Sequence, residues 1–333
     1  MPLSISDSQS PMRVAVVGCG PIGTIHARAV MTSPRAQLVG LCEIDDARRK
    51  EVANRFDVPG YASVERLLDD LQPDALTVAT PDHLHFDPVM AAIDAGCHVF
   101  CEKPLATTVA DAQRMVSAAN DRGVLLAVDY NRRFASGYRA AKAMLCDGRI
   151  GQLESCLVRV IDRTPPASVA REPYVMFGTL LTHHFDLVRW YGGEVSRLQA
   201  IVETMHGGLL RQVSLSLALA SGAHATILAA YRDDQSHTTE WMALLGTSGT
   251  LVVEDLTARV ILSCRAEDCV VTGATETFED VIAASIAAHL QAFMAGIEAP
   301  QRPATGHDGL IGMKLAAAAV ESIARGTSVE VTP

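Results

Sequence analysis

The chain has no apolar run of the ~18–20 residues needed to cross a bilayer, which excludes a helical membrane span. It has little positive charge. Lys and Arg number 28 against 38 Asp and Glu, a formal charge of -10, so neither nucleic acid nor an anionic membrane surface is an expected partner. It also lacks a basic segment ahead of its first apolar stretch. "VAVVGCGPIG" (residues 14–23) follows a polar leader, Met1–Ser10, read as disordered. A Gly/Pro loop interrupts the stretch, unlike a secretory signal, and a cytoplasmic location is expected. The eight cysteines lack metal-site spacing: Cys97 and Cys101, and Cys264 and Cys269, are the close pairs, and neither fits a zinc ribbon. They read as reduced, small core residues, so no metal and no disulfide is expected. Internal repeats and low-complexity tracts are absent as well.

What is present divides the chain in two. A length of 333 residues exceeds what one core usually holds, and 49% apolar with 20% charged residues is a globular composition. Short apolar runs at Arg13–Val17, Leu38–Cys42, Ala75–Ala79, Val99–Cys101 and Leu125–Val128 alternate with helical patterns. The helices fall near Ile22–Met31, Asp45–Phe56, Phe86–Ala95 and Val109–Asn120, the last behind a capping-box-like Thr108-Val-Ala-Asp111. Continuous apolar strands between helices predict a doubly wound parallel sheet over residues 11–130. Beyond Gly151 the period changes. "QVSLSLALA" sets Val213, Leu215, Leu217 and Leu219 on one face and Ser214, Ser216 and Ala218 on the other. Further strands near 225–231, 241–245, 250–253 and 260–262 predict an α+β domain, residues 131–333, with a large, mainly antiparallel open-faced sheet. Helices are expected near Thr179–Trp190, Val281–Ala295 and Gly309–Ala324, and Asp162–Glu172 reads as a loop insertion able to act as a lid. An open sheet exposes a face that needs cover, so a homodimer or homotetramer is expected.

Gly18-Cys-Gly20-Pro21-Ile22-Gly23 matches G-x-G-x-x-G between a strand and a helix, with Glu43 20 residues past Gly23. In that setting the glycines permit a tight turn and close approach to a pyrophosphate, which the helix start receives. An acidic Glu43 at the adenosine ribose would bond both hydroxyls and repel a 2'-phosphate, favouring NAD over NADP. Arg48 and Arg49 are the counter-argument, and helical spacing puts them a turn or more away. Thr80-Pro81 and His85 follow the third strand and Glu102-Lys103-Pro104 the fourth, at the strand ends that line a ligand crevice. His83 reads as a solvated loop residue.

The ordered set "GCGPIG", "TPDHLH", "EKPLATT", "YNRRF", "HHFD", "LLGTSGTLVVED" and "RPATGHDGLIGMKLAAAAVESIARG" resembles the glucose–fructose oxidoreductase / inositol dehydrogenase (Gfo/Idh/MocA) family along nearly the whole chain. The resemblance implies a Rossmann domain followed by an open-faced β domain. It also implies NAD(P)-dependent oxidation of a sugar, sugar acid or cyclic polyol, or the reverse reduction. Lys103 and His183 would face the reacting carbon, with Asp186 the acid of H-x-x-D, and the Lys103–Pro104 bond would be cis. Where many relatives have an aspartate four residues before that histidine, this chain has Thr179. Asn131 is expected at the cofactor, and Arg132, Arg163, Tyr174 and Thr179 with Lys103 and His183 at the substrate.

The chemistry agrees with these assignments. Removing hydride from a carbinol carbon requires a base for the hydroxyl proton. A free lysine, near pKa 10.4, needs burial or a neighbouring positive charge to serve, whereas histidine titrates close to neutrality. Two other readings remain: redox-assisted glycoside elimination with NAD retained, and a catalytically silent NAD-binding regulator.

Overall fold

The structure, a computed structural model, describes residues 10–165, 175–204, 210–235, 238–254, 259–264, 267–272, 277–296 and 302–332. Most of the leader, most of the 162–172 insertion, and Tyr174 lie outside the described residues. The chain divides into two compact units, residues 1–131 with 286–313, and residues 132–285 with 314–333.

The first unit is built on six strands: β1 (Met12–Val17), β2 (Ala36–Cys42), β3 (Gly60–Tyr61), β4 (Ala75–Val78), β5 (His98–Cys101) and β6 (Leu126–Val128). All pair in parallel, in the order β3-β2-β1-β4-β5-β6. The connections are α1 (Pro21–Met31), α2 (Asp46–Phe56), α3 (Val64–Leu71), α4 (Phe86–Asp94) and α5 (Val109–Arg122). This is the doubly wound order in which ligands lie outside the carboxyl ends of the strands. The central strands are apolar on both faces because helices cover both: every residue of β4 is buried. Thr108 caps α5 as its sequence implied, its Oγ1 accepting from the Asp111 amide at 3.0 Å. Two elements were not anticipated. The two-residue strand β3 is too short to register as a run, and α3 stands behind a Ser63 cap that accepts from the Arg66 amide.

Residues 286–313, which the sequence pattern assigned to the second domain, cluster with the first unit. The reason is visible in its core. Phe100 of β5 packs edge-on against Phe293, with ring centroids 5.5 Å apart, and the Val128 amide donates to the Ala304 carbonyl at 3.0 Å.

The second unit opens with α6 (Ser136–Cys146), another helix missed in the sequence, and then β7 (Leu153–Arg163). A π-helical stretch, Val175–Leu180, leads into α7 (Thr182–Gly192). The expected helix start at Thr179 therefore falls in the π segment, a distortion often found at functional sites. There follow along the chain β8 (Val195–Thr204), β9 (Leu210–Leu219), β10 (His224–Arg232), β11 (Thr239–Gly246), β12 (Gly249–Glu254), β13 (Arg259–Cys264), β14 (Glu267–Thr272), α8 (Phe278–Met294), α9 (Gly306–Arg325) and β15 (Val329–Glu330), with α8 and α9 each divided between the two units. The nine-stranded sheet runs β14-β13-β12-β11-β7-β10-β9-β8-β15, antiparallel apart from the β7–β10 pair.

Its two faces differ as the alternation in β9 implied. Val213, Leu215, Leu217 and Leu219 are buried, while Ser214 and Ser216 turn to the other face. There, register aligns Leu228, Ser214 and Ile201 across three strands, with Leu157, Thr226 and Ser216 in the next row. Ile201 is 68% exposed, a large apolar side chain open to solvent.

Candidate functional site

The carboxyl edge of the first unit's sheet is assembled from close backbone contacts. Gly18 has φ +90°, and a Cβ there would lie 2.6 Å from the Ala79 carbonyl oxygen. A Cβ at Gly23 would fall on the carbonyl oxygen of Gly18. Only glycine lets β1 turn into α1 against the end of β4. Gly20 differs: nothing lies within 4 Å of where its Cβ would be. It forms the N-cap of α1 with no side-chain cap, so no capping side chain covers the positive end of the helix. That cradle fits a pyrophosphate.

Glu43, buried at the end of β2, fits the adjoining ribose. Its Oε2 accepts from the Cys19 amide and its Oε1 from the Asp45 amide, both at 3.0 Å. Burial pushes its carboxyl up, but these two amides and Arg48 outweigh it and hold the carboxyl below its ordinary value. The expectation that Arg48 and Arg49 stand away from Glu43 is corrected here. Arg48 Nη1 lies 3.4 Å from Glu43 Oε2, and Arg49 Nη1 donates to the Glu43 carbonyl at 2.9 Å. Asp45 caps α2 immediately after the strand, which brings the first turn, and two long guanidinium arms, back over Glu43. The exposed apolar side chains Ile22 and Ile44 flank this region.

Past β4, Thr80 has a buried Oγ1 with no hydrogen-bond partner among the described residues, a group suited to a bound ligand. Pro81 is exposed beside it, and His83 is exposed as expected. His85 is buried, with Nδ1 2.8 Å from the Pro104 carbonyl and Nε2 2.9 Å from the Thr80 carbonyl. It braces two strand-end turns, which leaves no ring nitrogen for the cofactor contact expected of it. Past β5 come Glu102 and half-buried Lys103, and the Lys103–Pro104 bond is cis. Glu102 Oε2 accepts from the Lys103 amide at 3.2 Å, and Glu102 Oε1 faces His26 Nε2 at 3.2 Å. Asn131 is buried where this unit ends.

Sequence reasoning missed His26, Asp129 and His289, all buried around Glu102. His26 had a signal: it stands three residues past Gly23, on the same side of α1. His289 had none, sitting in an apolar helix far along the chain.

In the second unit, α7 carries His183 and Asp186, both buried, and Thr179 lies in the π segment before it. Asp186 is gripped by Arg133, whose Nε and Nη2 donate at 2.7 and 2.5 Å. Arg132, expected at the substrate, is buried and committed elsewhere. Its Nε and Nη2 donate to Glu240 Oε1 at 3.2 and 2.8 Å, and Tyr138 donates to Glu240 Oε2 at 3.0 Å. A buried carboxylate requires such pairing, and the Arg132 guanidinium supplies it to Glu240. Burial pushes the Glu240 carboxyl up, but Arg132 and His184 outweigh it and hold it well below the usual range. Arg163 is exposed at the end of β7.

Residues 12–130 match an oxidoreductase family with an NAD-binding Rossmann fold (GFO_IDH_MocA), and residues 138–252 match the C-terminal domain of the same family. The chain is 27% identical over 335 residues to an inositol 2-dehydrogenase of Rhizobium meliloti, covering 96% of this chain and 99% of that one. It is 32% identical over 187 residues to a myo-inositol 2-dehydrogenase of Thermotoga maritima, and this match spans 55% of each chain. In fold it is similar to an oxidoreductase of Agrobacterium radiobacter solved with NAD+, L-tartaric acid and magnesium. There the TM-score is 0.87 at 22% identity, over 96% of this chain and 98% of that one.

Two glycine variants separate binding from folding. Gly20→Ala meets no atom of the protein, so its unfolding free energy should stay within ~0.5 kcal/mol of wild type, while NADH affinity, read by fluorescence titration, falls at least about tenfold. Gly23→Ala should lower the thermal midpoint itself. Equal NADH affinity in Gly20→Ala would count against the cradle.

Proposed function

Because the chain belongs to the Gfo/Idh/MocA oxidoreductases, we propose that it is an NAD-dependent dehydrogenase of a sugar, sugar acid or inositol-like ring. The observation that carries this reading is Lys103, half-buried at the carboxyl end of β5 on the sheet edge that holds the Gly18–Gly23 turn and Glu43. The inositol dehydrogenase names of the two relatives support the ring class.

Bound NAD supplies the acceptor for the hydride. As the C–H pair leaves the carbinol carbon, the O–H bond breaks and a C=O bond forms, and Lys103 Nζ takes the hydroxyl proton. Lys103 does this in its neutral form, which a positively charged nicotinamide beside it would favour. On the family resemblance His183 is a second proton-handling residue, and Asp186, held by Arg133, fixes the helix that bears it. Thr179 stands where many relatives have a carboxylate and cannot act as one, so Lys103 carries more of the proton transfer here. We assign the exposed face of the nine-stranded sheet to a homodimer or homotetramer contact that takes in the exposed apolar side chains Ile201, Leu228 and Leu157.

Lys103→Met should keep NADH affinity and lower kcat by ~10²–10⁴ in an assay of NADH formation across inositols, hexoses and uronic acids. Retention of more than about a tenth of wild-type kcat would refute the assignment. Glu43 should make NAD better than NADP by at least about tenfold in kcat/KM, and equal turnover with NADP would show that Arg48 overrides it. Light scattering at micromolar concentration should give a dimer or tetramer that Ile201→Lys dissociates. A monomeric wild type sinks this contact.

A further inference from the structure

The dehydrogenase reading leaves unused a cluster of four titratable side chains in the first unit. His26 lies on α1, Glu102 after β5, Asp129 after β6 and His289 on α8. Three are sealed from solvent, and the Glu102 side chain is 14% exposed.

The hydrogen bonds of His289 fix where its proton is. The Ala304 amide donates to His289 Nε2 at 3.1 Å, so that nitrogen is an acceptor and carries no proton. The ring proton is then on Nδ1, which donates to Asp129 Oδ1 at 2.9 Å. His289 is therefore neutral, and Asp129 accepts from it as a carboxylate. The other oxygen, Asp129 Oδ2, lies 3.8 Å from His26 Nε2, and Glu102 Oε1 lies 3.2 Å from the same nitrogen. Two buried carboxylates beside a neutral ring would be an uncompensated charge pair, which a protein interior does not tolerate. A second ring proton on His26 offsets both charges from the side they share. Burial opposes that charge, but bonds to Asp129 and Glu102 outweigh burial and raise the ring to about 9. Asp129 is held below the carboxylate range by the same imidazoles despite its burial. Burial and Asp129 push Glu102 up, against His26 and Lys103. Cys101 is a further titratable neighbour, and burial pushes its thiol well above its ordinary value, so it stays neutral.

Glu102 connects this cluster to the proposed catalytic lysine. Its Oε2 accepts the Lys103 amide at 3.2 Å, and the Lys103 charge acts on its carboxyl. We propose that His26, Asp129 and His289 are positioning residues for Lys103. The His26 imidazolium favours the ionised form of Glu102, whose Oε2 holds the Lys103 backbone amide and whose charge acts on the Lys103 ammonium.

The significance of this device for catalysis rests on Lys103 handling the proton, so the test reads Lys103 without turnover. His26→Gln keeps a hydrogen-bond donor of similar reach but cannot become a cation. Glu102 then takes up a proton more readily, the charge it exerts on Lys103 is lost, and Lys103 gives up its own proton more readily. Acylation of Lys103 in the full-length protein, followed by peptide mass spectrometry across pH, should show its half-reactive pH falling by ~0.5 unit or more. Glu102→Gln should shift it in the same direction, and His26→Gln should add nothing in that background. The kcat–pH profile should move with the labelling curve.

If His26→Gln does not fold, Glu102→Gln alone gives the same reading. An unshifted curve in folded Glu102→Gln overturns the proposal, as does a His26→Gln shift that persists when Glu102 is already Gln. The three ligating atoms of His26, Glu102 and Asp129 lie within 4.8 Å of one another. A divalent metal retained stoichiometrically by wild type and lost from His26→Gln would therefore overturn it too. A labelling shift together with an active Lys103→Met would leave the positioning device standing and remove the catalytic assignment instead.

Discussion

The edge of the parallel sheet depends on one backbone contact, where the β1–α1 turn presses against the end of β4. Gly18 sits against Ala79, and Gly23 sits against Gly18. No side chain fits at either place. The close approach sets the start of α1 next to Thr80, and it also sets the direction in which that helix points its free amides. His85 then ties Thr80 to Pro104, so the turns after β4 and β5 are fixed to each other through one imidazole. A polar edge that has to receive a charged ligand is thereby made rigid by backbone, and its side chains remain available for chemistry.

The second unit solves a different problem with the same means. Arg132 and Arg133 are adjacent, yet each answers a separate buried carboxylate, Glu240 and Asp186. Removing either arginine would leave an unpaired charge in the interior, at a cost of ~3–5 kcal/mol by the usual behaviour of buried pairs. These ion pairs anchor a β-strand and α7 around the 3-10 turn Asn131–Phe134, which carries both arginines. Such a turn reads in the sequence as a row of ligand contacts, because basic side chains after a strand end look available until their partners are known.

That difference marks what was legible. The parallel sheet, the glycine turn, Glu43, the strand-end Lys103 and the two-faced β9 follow from local periodicity and from spacing within a few dozen residues. The helix α3 was missed although Leu67, Leu68 and Leu71 repeat at helical spacing behind Ser63. Partners far apart in sequence were not legible. Glu240 lies 108 residues from Arg132, and His289 lies 160 from Asp129. Nothing in the neighbourhood of either residue announces the other. For Arg48 the error was one of reach: counting turns along a helix ignores that the helix begins beside the strand end it follows.

A lysine at the tip of a core strand needs more than a strand end. Glu102 precedes it and would by itself be a poorly solvated carboxylate at the rim of an apolar sheet. A carboxylate there needs donors, and besides the Lys103 amide one comes from α1, which the glycine turn has already brought across the sheet. His26 occupies that place, and its Nε2 meets Glu102 Oε1. A histidine sealed in the interior then requires a second anion to be charged, which Asp129 provides at the end of the neighbouring strand. Asp129 in turn is satisfied by His289, from the segment that crosses back to the first unit. Each polar residue in the series is required by the one before it, and the series ends at an amide hydrogen bond from Ala304. The return of residues 286–313 to the first unit therefore closes a polar chain as well as a hydrophobic one.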